Sequence, residues 1–182
     1  MPPFPITQHG MGMDHELTSK DMTSTAEAKR AVQETISQLG GLDIIIANAG
    51  WTRFSDWKDL DSMTEEEWDR CWSANVKVPK ALLSEARATF DANPDGGCMI
   101  TTGSIAATSQ AGSSMPYAVT KAAQLQLVKC LAVTVGPKIR VNTVLPGLLL
   151  TEWVRVFFHP IPFIQFPSPV SHIFYLSTLL HT

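Results

Sequence analysis

Hydrophobic positions along the chain follow two periods that alternate. Asp43 to Ala47 is a continuous apolar run, the pattern of a strand buried on both faces of a parallel sheet. Cys98 to Thr102, apolar and β-branched, follows the turn Pro94-Asp95-Gly96-Gly97 and predicts a second strand ending near Gly103. Ile139 to Leu145 predicts a third. Between the strands a helical period takes over. Ser24 and Glu27 form a capping box for a helix through Leu39, with Val32, Ile36 and Leu39 as its apolar stripe and Gly40-Gly41 as its stop. Thr64 and Glu67 open a long helix that carries Trp68, Cys71, Trp72, Asn75 and Val76, bends at Pro79 and runs to Phe90. Ser113 to Pro116 supplies a capping residue and an early proline, so Tyr117 falls in the first turn of a helix that continues through Lys121 to Val135 and stops at Gly136-Pro137. Ala118, Ala122, Leu125, Cys130, Leu131 and Val133 make this last helix apolar around much of its girth, so it is expected to be buried or to pair with a partner. Strands alternating with helices predict an α/β fold.

The two ends break the pattern. Met1 to Lys20, rich in Pro, Gly, Met and His, has no period and reads as an irregular segment; its glycines follow no strand. From Val156 onward there is no Asp, Glu, Lys or Arg, and Pro160, Pro162, Pro167 and Pro169 stand among Phe157, Phe158, Phe163, Phe166 and Phe174. The longest proline-free run there, Val170 to Thr182, is shorter than the roughly 20 apolar residues of a membrane span, so no membrane partner is expected. At 182 residues with 45% hydrophobic content the chain holds one domain's core. Its net charge of −3, from 14 basic and 17 acidic residues that are interspersed, gives no basic stripe for nucleic acid. A small molecule or a protein is the expected partner. Cys71, Cys98 and Cys130 are odd in number and far apart, which points to reduced thiols with neither a disulfide framework nor a metal site. No charged and apolar leader opens the chain, so a cytoplasmic location is expected.

Candidate chemistry gathers around the last helix. Tyr117 and Lys121 are four residues apart and share a face. A free phenol titrates at about 10, and an ammonium beside it favours the phenolate, so the pair could serve as a general acid or base. Ser104, at the end of the second strand, could hold a carbonyl or alcohol oxygen against the phenol. On its own, though, a Tyr-x-x-x-Lys pair is most often a packed tyrosine with a solvated lysine.

The wider pattern sharpens that reading. Tyr117-x-x-x-Lys121, Ser104 upstream on a strand end, Asn48-Ala49-Gly50 after the strand at Asp43, Asn75 in the helix between them, and Pro146-Gly147 after Ile139-Arg140-Val141-Asn142 resemble the short-chain dehydrogenase/reductases in order and separation. The match covers about Asp21 to Trp153. It implies three segments: an irregular one over 1–20, a partial dehydrogenase/reductase domain over 21–153 and an atypical Pro/Phe-rich tail over 154–182. The implied fold is an incomplete, Rossmann-like doubly wound parallel sheet with helices on both faces. The implied activity is NAD- or NADP-dependent interconversion of an alcohol and a carbonyl by hydride transfer.

By the same resemblance Tyr117 moves the proton, Lys121 lowers the phenol's pKa and binds the ribose, and Ser104 orients the substrate oxygen. Asn75 holds a water that hands protons to the lysine. Asn48, Ala49 and Gly50 line the cofactor, Asp21 and Met22 touch its adenine, and Pro146, Gly147 and Thr151 close over the nicotinamide. The family's usual pattern has a second Asn where this chain has Ala47. Other readings stay open for two of these residues: Asp21 as a turn residue before the helix, and Asn75 as a residue serving a carbonyl freed by Pro79. The two long helices imply a homo-oligomer.

Folds of this kind meet the pyrophosphate with a Gly-rich turn at a helix N-terminus, and none is recognisable in residues 1–20. The chain as it stands is therefore expected to bind NAD(H) or NADP(H) weakly. Two further readings remain: a non-catalytic relative that serves only as an oligomerisation partner, and a product of a mispredicted or alternatively spliced message.

Overall fold

The computed structural model describes residues 21–148 and a short strand at Tyr175–Leu176. Helix α1 spans Thr25–Leu39 and opens on Ser24, whose side chain accepts the Glu27 N–H at 3.3 Å. It closes at Gly40 with φ of 77°, a left-handed turn that glycine adopts without strain. Only half of the expected capping box forms, because the Glu27 carboxylate pairs with Arg30 one turn along. Strand β1 follows at Ile44–Ala47. Helix α2, Glu65–Trp72, begins with a complete capping box between Thr64 and Glu67. The chain then passes through a π-helical turn, Ser73–Lys77, into α3, Val78–Ala92. The expected bend at Pro79 is thus a wider turn set just ahead of it. A proline at 79 offers no N–H to the carbonyl of Asn75, and the helix widens where that bond is lost. Strand β2 is Gly97–Thr102, helix α4 is Met115–Val135 and strand β3 is Ile139–Leu145.

The sheet runs β1-β2-β3-β4, parallel across the first three strands, with β4 at Tyr175–Leu176 antiparallel to β3. Ile45, Met99 and Val141 stand in register across it, and with Ala47 and Ile139 they meet Val32 of α1, Leu83, Ala86 and Phe90 of α3, and Val128, Ala132 and Val135 of α4. Since strand side chains alternate, one face carries this core. Ile44 and Ile46 point to the other face and are 59% and 68% exposed. This corrects the expectation that β1 is buried on both sides, and it narrows the placing of helices. The incomplete α/β fold stands, but among the described residues α1, α3 and α4 share one face. A continuous apolar run reads the same whether one face or both are covered. Helix α4 is long and apolar enough by composition to cross a bilayer, yet it packs onto the sheet through the residues just named.

Its outward stripe of Val119, Ala122, Gln126, Cys130 and Val133 is exposed, so α4 is buried on one side only. The three cysteines are free thiols. Residues 1–20, Thr151 and the tail 154–182, apart from β4, lie outside the described residues.

Candidate active site

The carboxyl ends of β1, β2 and β3 turn into three loops that meet the N-terminal half of α4. Ser114 caps α4, its hydroxyl accepting the Tyr117 N–H at 3.3 Å, and Pro116 occupies the first turn. The loop after β1 is tied to this cap: Thr52 Oγ1 lies 2.7 Å from Ser113 Oγ and 3.2 Å from Ser114 Oγ, and Ser55 N donates to Ser113 O at 2.9 Å. Tyr117 therefore starts from a fixed backbone. Ser104, extended just beyond the end of β2, accepts the Ala106 N–H at 3.1 Å, and its hydroxyl stands close enough to the Tyr117 phenol to influence its protonation. The fold thus brings Ser104 and Tyr117 together.

Burial pushes the Tyr117 phenol above its ordinary value, while the Ser104 hydroxyl, by bonding the phenolate form, pulls the other way. The nearby Cys71 adds a smaller upward push. The expectation of a phenol lowered by Lys121 is not met: the phenol is raised, and Lys121 is not among the groups that move it. Lys121 Nζ sits 5.6 Å from the centre of the Tyr117 ring and is directed at Thr102 O, to which it donates at 2.6 Å. Lys121 is 4% exposed, and burial holds its ammonium down to about 8. Nor is it a solvated lysine.

Asn75 is fully enclosed in the π-helical turn. Its Oδ1 accepts the Trp51 N–H at 2.9 Å, and its Nδ2 lies 3.0 Å from Trp51 O, 3.0 Å from Thr120 Oγ1 and 3.2 Å from Cys71 Sγ. Thr120 Oγ1 in turn donates to Tyr117 O at 3.0 Å, so Asn75 is tied to α4 one residue before Lys121. Gly50 explains why this contact is possible: a Cβ there would stand 2.9 Å from Asn75 Oδ1 and 3.6 Å from Lys121 Nζ. A side chain would wedge the turn away from the site. Asn48 Oδ1 accepts Thr102 Oγ1 at 2.8 Å, which joins the ends of β1 and β2. Pro146 O accepts the Ile105 N–H at 3.1 Å, joining the ends of β2 and β3, with Gly147 against Ile105.

Asp21 and Met22 lie apart, beside the outer edge of β1. Met22 lines a trough there with Asn48 and Ala49. Asp21 makes a turn into α1, its carboxylate accepting Thr23 N at 2.9 Å and Thr23 Oγ1 at 2.8 Å, bonds that hold it below the usual carboxylate range. The structure also adds residues that the sequence reading gave no role here: Thr102, Cys71, Thr120 and Gln124. Gln124 left a trace in the sequence, since it lies three residues after Lys121 on the same helical face.

A family model described as enoyl-(acyl carrier protein) reductase matches residues 7–161. Dehydrogenase/reductase SDR family member 4 of Pongo abelii is 35% identical over 151 residues, which cover 82% of this chain and 53% of that protein. Among solved structures, a 7α-hydroxysteroid dehydrogenase complexed with NADH and 7-oxo glycochenodeoxycholic acid superposes with a TM-score of 0.69 at 31% identity, over 78% of this chain and 54% of that one. A blue fluorescent protein from a metagenomic library, in complex with NADPH, gives 0.65 at 31% identity, over 73% and 52%. The chain spans about half the length of these relatives. It belongs to the short-chain dehydrogenase/reductase family.

Proposed function

We propose that this chain is an NAD(P)-dependent oxidoreductase that interconverts an alcohol and a carbonyl on a small-molecule substrate. The observation that carries the reading is the meeting of Ser104, Tyr117 and Lys121 at the carboxyl ends of parallel strands, the side of an open α/β sheet where ligands sit. The nicotinamide side of a dinucleotide fits there. Gly50, whose missing side chain leaves the Asn48–Gly50 turn close to Asn75 and Lys121, would line it, as would Pro146 and Gly147. Met22, which lines the trough, would meet the adenine side, with Asp21 next to it in sequence carrying its role from the family resemblance. Thr151 carries its role from the family resemblance alone. When bound, the nicotinamide supplies the hydride or accepts it.

The chain's own residues handle the proton. Ser104 holds the substrate oxygen beside the phenol. In carbonyl reduction Tyr117 Oη gives its proton to that oxygen as the carbon becomes an alcohol carbon, and a raised pKa keeps the proton available at neutral pH. In alcohol oxidation the phenolate must take the proton, so the rate in that direction should climb with pH. Lys121 places a positive charge beside the phenol and the ribose, and Asn75 holds the frame that α4 shares with the loop at Trp51. The exposed stripe of Val119, Cys130 and Val133 on α4 supports self-association, which sedimentation would read directly.

The test is a titration followed by an assay. Energy transfer from the five tryptophans to NADH or NADPH reads cofactor binding, and a panel of ketones, aldehydes and alcohols reads turnover. Turnover that saturates with cofactor, at whatever affinity, supports the reading. Its absence across the panel at millimolar NADH and NADPH overturns it.

A further inference from the structure

The carbonyl of Asn75 has no α-helical donor, because the N–H four residues on would belong to Pro79. Gln124 serves it instead. The Gln124 side chain, fully buried on α4, donates from Nε2 to Asn75 O at 2.8 Å. Its other end faces the lysine: Oε1 accepts from Lys121 Nζ at 3.4 Å. Chemistry fixes the amide's orientation. Turned round, it would set its NH₂ against an ammonium and its oxygen against a carbonyl. A glutamine this deep is costly unless both ends are paired, and here both are paired to residues of the proposed reaction centre.

We infer that Gln124 is a positioning residue, which fixes Lys121 Nζ against the Asn75 carbonyl and fills with its own amide the link that the family resemblance gives to a water. Its meaning for catalysis rests on the function proposed above. A water in that link can pass a proton along, whereas a carboxamide transmits position and partial charge and keeps its protons. Lys121 therefore acts through its charge and its place. Burial lowers the Lys121 ammonium and Cys71 pushes it up; Gln124 Oε1 and Thr102 O, which accept hydrogen bonds from it, add a preference for the charged form by geometry.

The experiment is an NMR titration of protein carrying carbon-13 at the lysine Cε, with the Lys121 signal assigned as the one absent from Lys121→Met. Wild type, Gln124→Leu and Gln124→Glu are compared. Loss of the acceptor in Gln124→Leu should lower the Lys121 midpoint by about one pH unit, and a carboxylate in Gln124→Glu should raise it by about as much. A shift in the stated direction in either folded variant supports the inference, and Gln124→Glu keeps the size and polarity of the side chain if the leucine variant does not fold. A Lys121 midpoint that stays at the wild-type value in both would overturn it. Because neither cofactor nor substrate enters this measurement, its outcome is separate from that of the turnover assay. A general loss of packing would not drive the two midpoints in opposite directions.

Discussion

On one face of the sheet Ile45, Met99 and Val141 meet three helices, whereas on the other Ile44 and Ile46, one residue away along the same strand, stand 59% and 68% exposed. The groups proposed for proton transfer belong to the covered side. Tyr117 and Lys121 ride on α4, Asn75 sits between α2 and α3, and each is held by buried or part-buried hydrogen bonds. At the outer edge of β1, by contrast, Met22, Asn48 and Ala49 line an apolar trough on the side of the strand away from β2, where no further strand pairs with it among the described residues. Burial on the first side therefore does two jobs. It stabilises the chain, and it strips solvent from Lys121 and Tyr117 so that their pKa values move.

The largest effect should separate the two faces by stability. Phe90 is fully buried under the sheet, and Phe90→Ala is expected to cost about 3–5 kcal/mol of unfolding free energy in denaturant titrations. Ile46→Ala on the open face should stay within about 0.5 kcal/mol. Comparable losses at both sites would show that the open face is covered in solution, and the comparison between the faces would fail.

Next comes the pH dependence of stability. Lys121 is held at about 8 against an ordinary 10.5, so between these values the unfolded chain binds a proton that the folded chain lacks, and stability rises with pH. Cys71 and Tyr117, pushed up by burial from 9.0 and 10.0, act in the opposite sense once pH exceeds those values, because the folded chain then keeps protons that the unfolded chain releases. Between pH 8 and 9 the lysine outweighs the thiol, because the unfolded thiol is at most half ionised there. Wild-type unfolding free energy should rise there by about 1 kcal/mol. Lys121→Met should show no such rise, and an unchanged slope in that variant would remove the buried ammonium as its cause.

An effect of similar size is expected at the cap that orients Tyr117. Ser114→Ala removes the acceptor for Tyr117 N–H and should cost about 1 kcal/mol. A loss confined to stability, with Tyr117 chemistry intact, would show that the loop at Thr52 alone is enough to seat the helix.

Local signals were the legible ones. The caps at Ser24, Thr64 and Ser114 and the three apolar runs each depend on residues close in sequence, and the structure places them within a residue or two of where the pattern puts them. Ser104, Tyr117 and Lys121 came together because strand, loop and helix follow one another directly. The link through Gln124 was not legible in that way. It needs a carbonyl freed at Asn75 by Pro79 and an amide arriving from α4, 49 residues away in sequence, and neither residue signals the other. The open face was hidden for a different reason, since Ile44, Ile45 and Ile46 are chemically identical and only tertiary packing distinguishes them.

Whether the covered side holds a proton-transfer site ending in Tyr117 is decided by the rate of carbonyl reduction by wild type and Tyr117→Phe at saturating NADH or NADPH. Turnover of the variant is expected to fall by about 10² to 10⁴, with cofactor affinity unchanged, because only the transferable proton is lost. Rates within about twofold of each other would contradict it, being far smaller than the loss of a general acid.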